Sequence, residues 1–481
     1  MPAWIRNARV NDMNTENDPR KVIEVINPAD GSIIGTVSAG TASDVGAAVD
    51  DASGALAKWS PLLPRERGKK LFNAAAAIRK DRNRLAALLT SEQGKPLAES
   101  KNEIMGCANV LEYYASISGS ITGEALPRSD YGYSFTIKKP LGVCGAIIPW
   151  NMPALIMAWK TGPALVAGNA LIVKPATSTP LTCMEMASLI HGAGIPEEIL
   201  RVIPGSGDEV GNAIAAHREI RAVSFTGSTE TGKIVEKAAC GTGKHLTLEL
   251  GGSDPMIVCD DADIATAAAG AVAGRFYNCG QTCTAVKRLY VFESVAEEFM
   301  KALESAVTGI KIGKGLSPGV RMGPMSSITG RERIEEIIDS VRNSGDGEIT
   351  RGGRIPEGAD YEKGFFYEPT IVAGVSGESR LMKEEVFGPV LPVSIVSGMN
   401  EAIEAANSTK YGLGASVWTR SIERTARAVE EIDAGIVWIN RHLKIPPEVP
   451  FGGEKASGTG RENGIYAPER YMTEKTVIVS P

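Results

Sequence analysis

The sequence predicts an α/β protein built on a parallel sheet with helices on both faces. Two observations carry this. Between about residues 140 and 250, short apolar runs bounded by glycine or proline alternate with stretches of helical periodicity. The runs are apolar almost without interruption, as strands buried on both faces are. Strand–helix–strand alternation implies parallel pairing, because the crossover helix returns the chain to the same end of the sheet.

Taken in order, LFNAAAAIRKDRNRLAALLTSEQGK has helical spacing of apolar residues and meets Gly94 as a stop. YSFTIKKPLG (133–142) is a separate β piece. VCGAIIPW, NALIVKPA and LRVIPG read as buried parallel strands, with TPLTCMEMASLIHGAGIPEEI a helix between the last two. IRAVSFTGS is a further strand and feeds the helix TETGKIVEKAAC. A second α/β unit starts near 252, with an Ala-rich helix over 262–278, a strand RLYVF and a helix VAEEFMKALESAVTGI. The Gly-rich stretch 343–364 is expected as surface hairpins or loops. EKTVIVS (474–480) is expected to pair with the distant 133–142 piece into an extra sheet.

Bulk properties narrow the function. The 481 residues suffice for two or three domains. A net charge of −6, without any basic run, argues against nucleic acid and membrane surfaces as partners. The first twenty residues lack the apolar core of a signal peptide, and no apolar run reaches membrane-span length, so a cytoplasmic location is expected. Seven scattered cysteines and four unclustered histidines predict neither a disulfide framework nor a metal site.

Four fragments carry candidate chemistry, and each has a plain structural alternative. FYNCGQTC holds Cys279 and Cys283; either is a small buried residue or, activated as thiolate, a nucleophile. Glu249 in LELGG is an exposed edge-strand carboxylate or a general base in a restricted site with a raised pKa. In IIPWNMP, Pro149 and Pro153 pin a turn that holds Asn151, which either makes the turn or offers its amide to an oxyanion. In SFTGSTETG, Gly227 and Ser228 stand where a strand feeds a helix, a place suited to a pyrophosphate, although the glycine spacing is not the Rossmann fingerprint. PGSGDEVG is an equally weak competitor, and Lys174 in IVKPAT is a solvated lysine or a ribose or phosphate ligand.

Together and in order, PWNMP, KPAT, FTGSTETG, LELGG, FYNCGQTC, EEVFGPV and PFGGEKASGTGRE closely resemble the aldehyde dehydrogenase superfamily over nearly the whole chain. The resemblance implies Cys283 as nucleophile, Asn151 with the Cys283 backbone N–H as oxyanion site, and Glu249 as the base that activates water. It implies Lys160 and Glu462 beside them as supports for proton movement or orientation. The cofactor NAD(P)+ would lie against Pro149, Trp150, Lys174, Thr177, Gly227, Ser228, Glu385 and Phe387. Many NAD-specific relatives carry Glu where this chain has Thr177. Loss of that carboxylate removes repulsion against a 2′-phosphate, so NADP+ is expected to be accepted and possibly preferred.

The same resemblance implies the rest of the expected organisation. A Rossmann-type cofactor domain would span 1–122 and 141–251, an α/β catalytic domain 252–461, and a small β oligomerisation arm 123–140 and 462–481. A homodimer or homotetramer is the expected assembly. SEQGKPLAES resembles the succinate-semialdehyde branch, but Trp159 stands where that branch usually has a substrate-binding Arg, and Ala285 where it has a redox-sensitive Cys. Trp159 and Phe451, with Met152 near the wall, match an apolar aldehyde tunnel, with Arg441 and His442 as added polar contacts. The expected substrate is an uncharged small to medium aldehyde, with a carboxylated semialdehyde as alternative. A CoA-acylating enzyme is a remote alternative, since such relatives commonly lack the hydrolytic Glu. Cys279 is expected as a packing residue, with a protective disulfide to Cys283 as the minority reading.

Overall fold

The computed structural model describes residues 21–130 and 132–480. The N-terminal stretch 1–20, read above for a signal peptide, lies outside the described residues.

The first sheet has six strands in the order Gly458–Thr459, His245–Glu249, Ile220–Thr226, Val143–Ile147, Ala170–Lys174 and Leu200–Val202. All neighbours are parallel except the short Gly458–Thr459, which runs antiparallel to His245–Glu249 at the edge. Every residue of Val143–Ile147 and Ala170–Lys174 is buried, which is why these runs read as uninterrupted apolar sequence. From the central Val143–Ile147 the chain winds outward to Leu200–Val202, then returns and winds the other way through Ile220–Thr226. The strand order therefore reverses between Val143–Ile147 and Ile220–Thr226. Ligands of open α/β sheets bind at such a switch point, beyond the carboxyl ends of the strands. Pro149 to Met152 form one lip of that crevice and Gly227 and Ser228 the other.

The second sheet has seven strands in the order Glu348–Arg351, Thr370–Ala373, Val390–Val396, Val286–Phe292, Asp254–Val258, Gly414–Trp418 and Ile436–Ile439. Only Glu348–Arg351 is antiparallel. It belongs to the stretch expected as surface hairpins or loops. An edge strand with alternating exposure needs no apolar run, so its sequence carries only a weak strand signal. Each sheet has its own apolar core, and helices cover both. The long helical stretch before Gly94 is two helices, Pro64–Lys80 and Arg82–Gln93, and Gly94 ends the second at φ 101°.

The two distant β pieces pair as expected. Tyr133–Pro140 runs antiparallel to Met472–Val479 along its whole length. Tyr133, Phe135, Ile137 and Ile478 on this ribbon are exposed. No helix among the described residues is long and apolar enough to cross a membrane.

Candidate active site

The helix Ile264–Phe276 stops just before the two cysteines. Asn278, Cys279 and Gly280 follow with φ of 51°, 55° and 73°, three consecutive left-handed residues. For a residue with a side chain that conformation costs roughly 1–2 kcal/mol, and it persists where the surroundings over-determine it. Here they do. The Asn278 N–H donates to Glu99 Oε2 at 2.9 Å, and its side-chain amide donates to the carbonyls of Asn151 (3.0 Å) and Gln281 (3.1 Å). Gln281 closes the turn through its backbone N–H and its side-chain amide, both donating to the Asn278 carbonyl. The Gln281 side-chain oxygen accepts from the Ser326 N–H at 2.8 Å.

The tight turn carries the chain from one core to the other. Cys279 lies in the core of the second sheet with its sulfur 3.7 Å from Met325 Sδ, whereas the half-buried Cys283 packs against the core of the first. Both are free thiols. Burial pushes the Cys283 thiol up to about 12; Lys287 opposes the rise, while Asp254, Glu385 and Glu249 add to it.

Asn151 sits in the turn between Val143–Ile147 and the helix Pro153–Val166, with Pro153 at the first helical position. Its side-chain amide donates to the Gln281 carbonyl at 3.1 Å, two residues before Cys283. The turn is fastened from below by a buried ion pair that the sequence did not suggest. Lys95 Nζ donates to Glu103 Oε2 at 2.5 Å, to the Asn151 carbonyl at 2.6 Å, and lies 3.2 Å from Met152 Sδ. The other oxygen of Glu103 accepts the N–H groups of Ala154 and Leu155, two free donors at the helix start.

Glu249 ends the strand His245–Glu249 and is almost wholly buried. Neither carboxylate oxygen has a hydrogen-bond partner among the described residues. Burial holds its carboxyl well above the usual carboxylate range, with Glu462 adding to the rise and Lys160 opposing it. Gly452 lies close by; a Cβ there would come within 2.7 Å of Glu249 Oε1. Lys160 is fully buried and fully satisfied. It donates to Ser224 Oγ and Thr226 Oγ1, both at 2.8 Å, and closely to Glu462 Oε1. Cys283, Asn151, Glu249, Lys160 and Glu462 thus form one neighbourhood.

On the cofactor side, Ser228 caps the helix Thr229–Ala239, its hydroxyl accepting the Thr231 N–H at 3.2 Å. Phe387 meets Trp150 edge to face with ring centroids 5.5 Å apart. Arg275 fixes the loop around Phe387 by donating to the carbonyls of Val386 and Gly388. Glu385 accepts the Gly252 N–H at 3.1 Å. A Cβ on Gly251 would fall 2.2 Å from Glu385 Oε2, so the LELGG glycines have a reason: this carboxylate lies against bare backbone. Lys174 ends the central-sheet strand Ala170–Lys174, and burial lowers its ammonium to about 8. Thr177 is exposed and donates its hydroxyl proton to the Gly205 carbonyl at 3.1 Å. These groups stand around the crevice at the switch point, so the residues present fit a dinucleotide.

The comparison with known proteins settles the family. The aldehyde dehydrogenase family profile matches residues 14–477. This chain belongs to the aldehyde dehydrogenase family. It is 38% identical to human (Homo sapiens) retinaldehyde dehydrogenase 3 over 491 residues, covering 100% of this chain and 95% of the relative. It is 39% identical to betaine aldehyde dehydrogenase of Bacillus subtilis (strain 168), covering 96% and 94%. Among solved structures, an E. coli NADP dependent enzyme superposes with a TM-score of 0.93 at 38% identity, covering 96% and 95%. Betaine aldehyde dehydrogenase of Staphylococcus aureus in complex with NAD+ gives 0.93 at 36%, covering 96% and 92%. As a family member the chain is an NAD(P)-dependent aldehyde dehydrogenase, oxidising an aldehyde through a catalytic cysteine.

Within this aldehyde dehydrogenase, Trp159 and Phe451 are buried with ring centroids 5.2 Å apart, and Met152 is half-buried beside Asn151. Arg441 is exposed. His442, expected only as a polar contact from a substrate loop, is instead engaged at both ring nitrogens. Nε2 lies 2.7 Å from the Thr284 carbonyl and must donate to it; Nδ1, 3.0 Å from Ser416 Oγ, then accepts. Burial lowers this imidazole to about 4, so it stays neutral at working pH. Lys95, Glu99, Glu103 and Lys287 also shape the site, and local sequence gave little sign of them. Lys287 carries a local signal, a charge among apolar neighbours in CTAVKRLYV, whereas Lys95, Glu99 and Glu103 stand in the polar stretch SEQGKPLAESKNE.

Proposed function

We propose that this enzyme oxidises an uncharged small to medium aldehyde to its carboxylic acid by way of a thioester on Cys283 that Glu249 helps to hydrolyse. The Cys283 thiolate attacks the carbonyl carbon, and the Asn151 amide and the Cys283 N–H bind the oxyanion. A nicotinamide dinucleotide held at the switch-point crevice supplies the hydride acceptor for the step that turns the hemithioacetal into the thioester. Glu249 takes a proton from water, the resulting hydroxide attacks the thioester carbon, and the acid leaves as Cys283 regains its thiolate. Lys160 and Glu462 hold charge beside Glu249 and orient it. The observation that carries this reading is Glu249: a buried carboxyl with both oxygens left free to accept from water. That favours hydrolysis over transfer to CoA.

The paired rings of Trp159 and Phe451 support an apolar aldehyde over a semialdehyde. Pro149, Trp150, Lys174, Thr177, Gly227, Ser228, Glu385 and Phe387 line the cofactor crevice in this reading. Thr177 and the buried Lys174 favour acceptance of NADP+. Solved relatives include 3,6-anhydro-L-galactose dehydrogenase in complex with NAP and betaine aldehyde dehydrogenase in complex with NAD+, so the family has members bearing either cofactor. The domain limits are taken as 1–122 with 141–251 for the cofactor, 252–461 for catalysis, and 123–140 with 462–481 for the arm. The exposed apolar residues of that ribbon support assembly into a homodimer or homotetramer.

The test is a panel of alkanals, benzaldehyde, lactaldehyde, glyceraldehyde and succinate semialdehyde, each with NAD+ and NADP+. Uncharged aldehydes are expected to give the higher kcat/KM; strong selectivity for the semialdehyde would overturn the substrate assignment.

A further inference from the structure

Lys287 is fully buried, four residues after the candidate nucleophile on the strand Val286–Phe292. Its ammonium donates to the Thr282 carbonyl at 2.9 Å and closely to the Cys283 carbonyl. It lies 3.5 Å from Glu385 Oε1 and 5.7 Å from the centre of the Phe387 ring. One buried cation therefore binds the backbone on both sides of Cys283 and faces two of the residues proposed to line the cofactor crevice. Nothing in the mechanism above uses it.

The carbonyl of Thr282 and the N–H of Cys283 belong to one peptide group. No described peptide bond is cis, so carbonyl and N–H point in opposite directions. A donor fixed on the Thr282 oxygen therefore fixes where the Cys283 N–H aims. It also polarises the peptide and makes that N–H a stronger donor. From the proposed mechanism, on which this step rests, that N–H is one of the two groups that bind the oxyanion. We propose that Lys287 is a positioning residue: it orients and polarises the Thr282–Cys283 peptide, and its charge stabilises the Cys283 thiolate from beneath the loop.

The charges facing this place are known. Lys287 is the favourable one for the Cys283 anion; Asp254, Glu385 and Glu249 oppose it. Asp254 is buried with both oxygens unpartnered among the described residues, and Lys287 opposes the rise of its carboxyl, which burial drives to about 7. His442, also facing Lys287, stays neutral and adds no charge. In the proposed reading a dinucleotide in the crevice would engage Glu385, now 3.5 Å from Lys287, and would leave more of the Lys287 charge to the thiolate. The nucleophile is thereby strengthened when the hydride acceptor is present.

The experiment uses the full-length enzyme, Lys287→Met, Lys287→Gln and a Cys283→Ala control. Two readouts are taken: the pre-steady-state burst of NAD(P)H, and the pH profile of Cys283 alkylation by iodoacetamide with and without NAD(P)+. Lys287→Met is expected to slow the burst on the order of 10- to 100-fold, as loss of part of an oxyanion site does. Lys287→Gln keeps a donor for the carbonyls and loses the charge, so it should recover much of the burst rate. Both variants should shift the alkylation profile to higher pH and lose its response to cofactor. Should Lys287→Gln fold normally and alkylate with the wild-type pH profile, the proposal is overturned. Continued turnover by Cys283→Ala would instead overturn the reading beneath it.

Discussion

The ammonium of Lys95 lies 2.6 Å from the backbone carbonyl of Asn151 and 2.5 Å from Glu103 Oε2, inside the protein and without exposure of either charged side chain. The pair ties the turn that holds Asn151 to the helix Leu97–Ser116, and Glu99 on that helix ties down Asn278, five residues before the proposed nucleophile Cys283. Both halves of the site therefore hang on one helix. Breaking a buried pair strands a charge, at a cost of about 3–5 kcal/mol. Lys95→Met should be destabilised by that order in denaturant unfolding and should lose kcat more than it raises KM. Lys95→Met with Glu103→Leu should regain only part of the stability, because the N–H groups of Ala154 and Leu155 lose their acceptor, and should not regain kcat, because the Asn151 carbonyl keeps only its bond from Asn278.

The Lys174 ammonium, lowered by burial to about 8, gives a cofactor-specific pH dependence. Below about 8 it carries charge and can pair with a 2′-phosphate; above, it is neutral. KM for NADP+ should therefore rise relative to that for NAD+ as pH passes upward through 8, measured as paired titrations. In the free protein the sign is opposite: the cost of burying the cation is full below about 8 and is gone above its ordinary value of 10.5. Stability should gain on this account as pH rises between the two.

Gly251 leaves room for Glu385. Gly251→Ala puts a methyl group within 2.2 Å of a carboxylate oxygen and must push Glu385 aside. Cofactor Kd, read by quenching of protein fluorescence, should weaken roughly tenfold or more, the size of a lost charged hydrogen bond. Aldehyde KM should change little.

Cys279 faces Met325 in a different core from Cys283. Cys279→Ser should leave peroxide inactivation, and its reversal by dithiothreitol, as in the wild type. A changed recovery would restore the disulfide reading.

Much of this was legible in the sequence because it is local. A strand–turn–helix string announces Asn151 and Ser228, and Glu249 stands out as a carboxylate at the end of an apolar strand before two glycines; all three stand at or just beyond carboxyl ends of strands of the first sheet. What was illegible is long-range. Lys95 meets Asn151 across 56 residues and His442 meets Thr284 across 158, and no periodicity encodes such pairs. The left-handed run at Asn278 and Cys279 was hidden for a related reason: neither is glycine, and only distant partners such as Glu99 make the conformation tolerable. The helix was expected over 262–278, and it ends at Phe276 because those partners claim the turn. The strand Glu348–Arg351 was lost among glycines because an edge strand buries only every second residue.

In the proposed mechanism Cys283 carries the acyl group and Glu249 releases it. Glu249→Gln, mixed with aldehyde and NAD(P)+ and stopped rapidly, tests it by intact and peptide mass spectrometry. This variant should give a burst of about one NAD(P)H per active site, little turnover after it, and an acyl mass on the peptide bearing Cys283. Undiminished steady-state turnover by Glu249→Gln, or a burst with no adduct on that peptide, would contradict it.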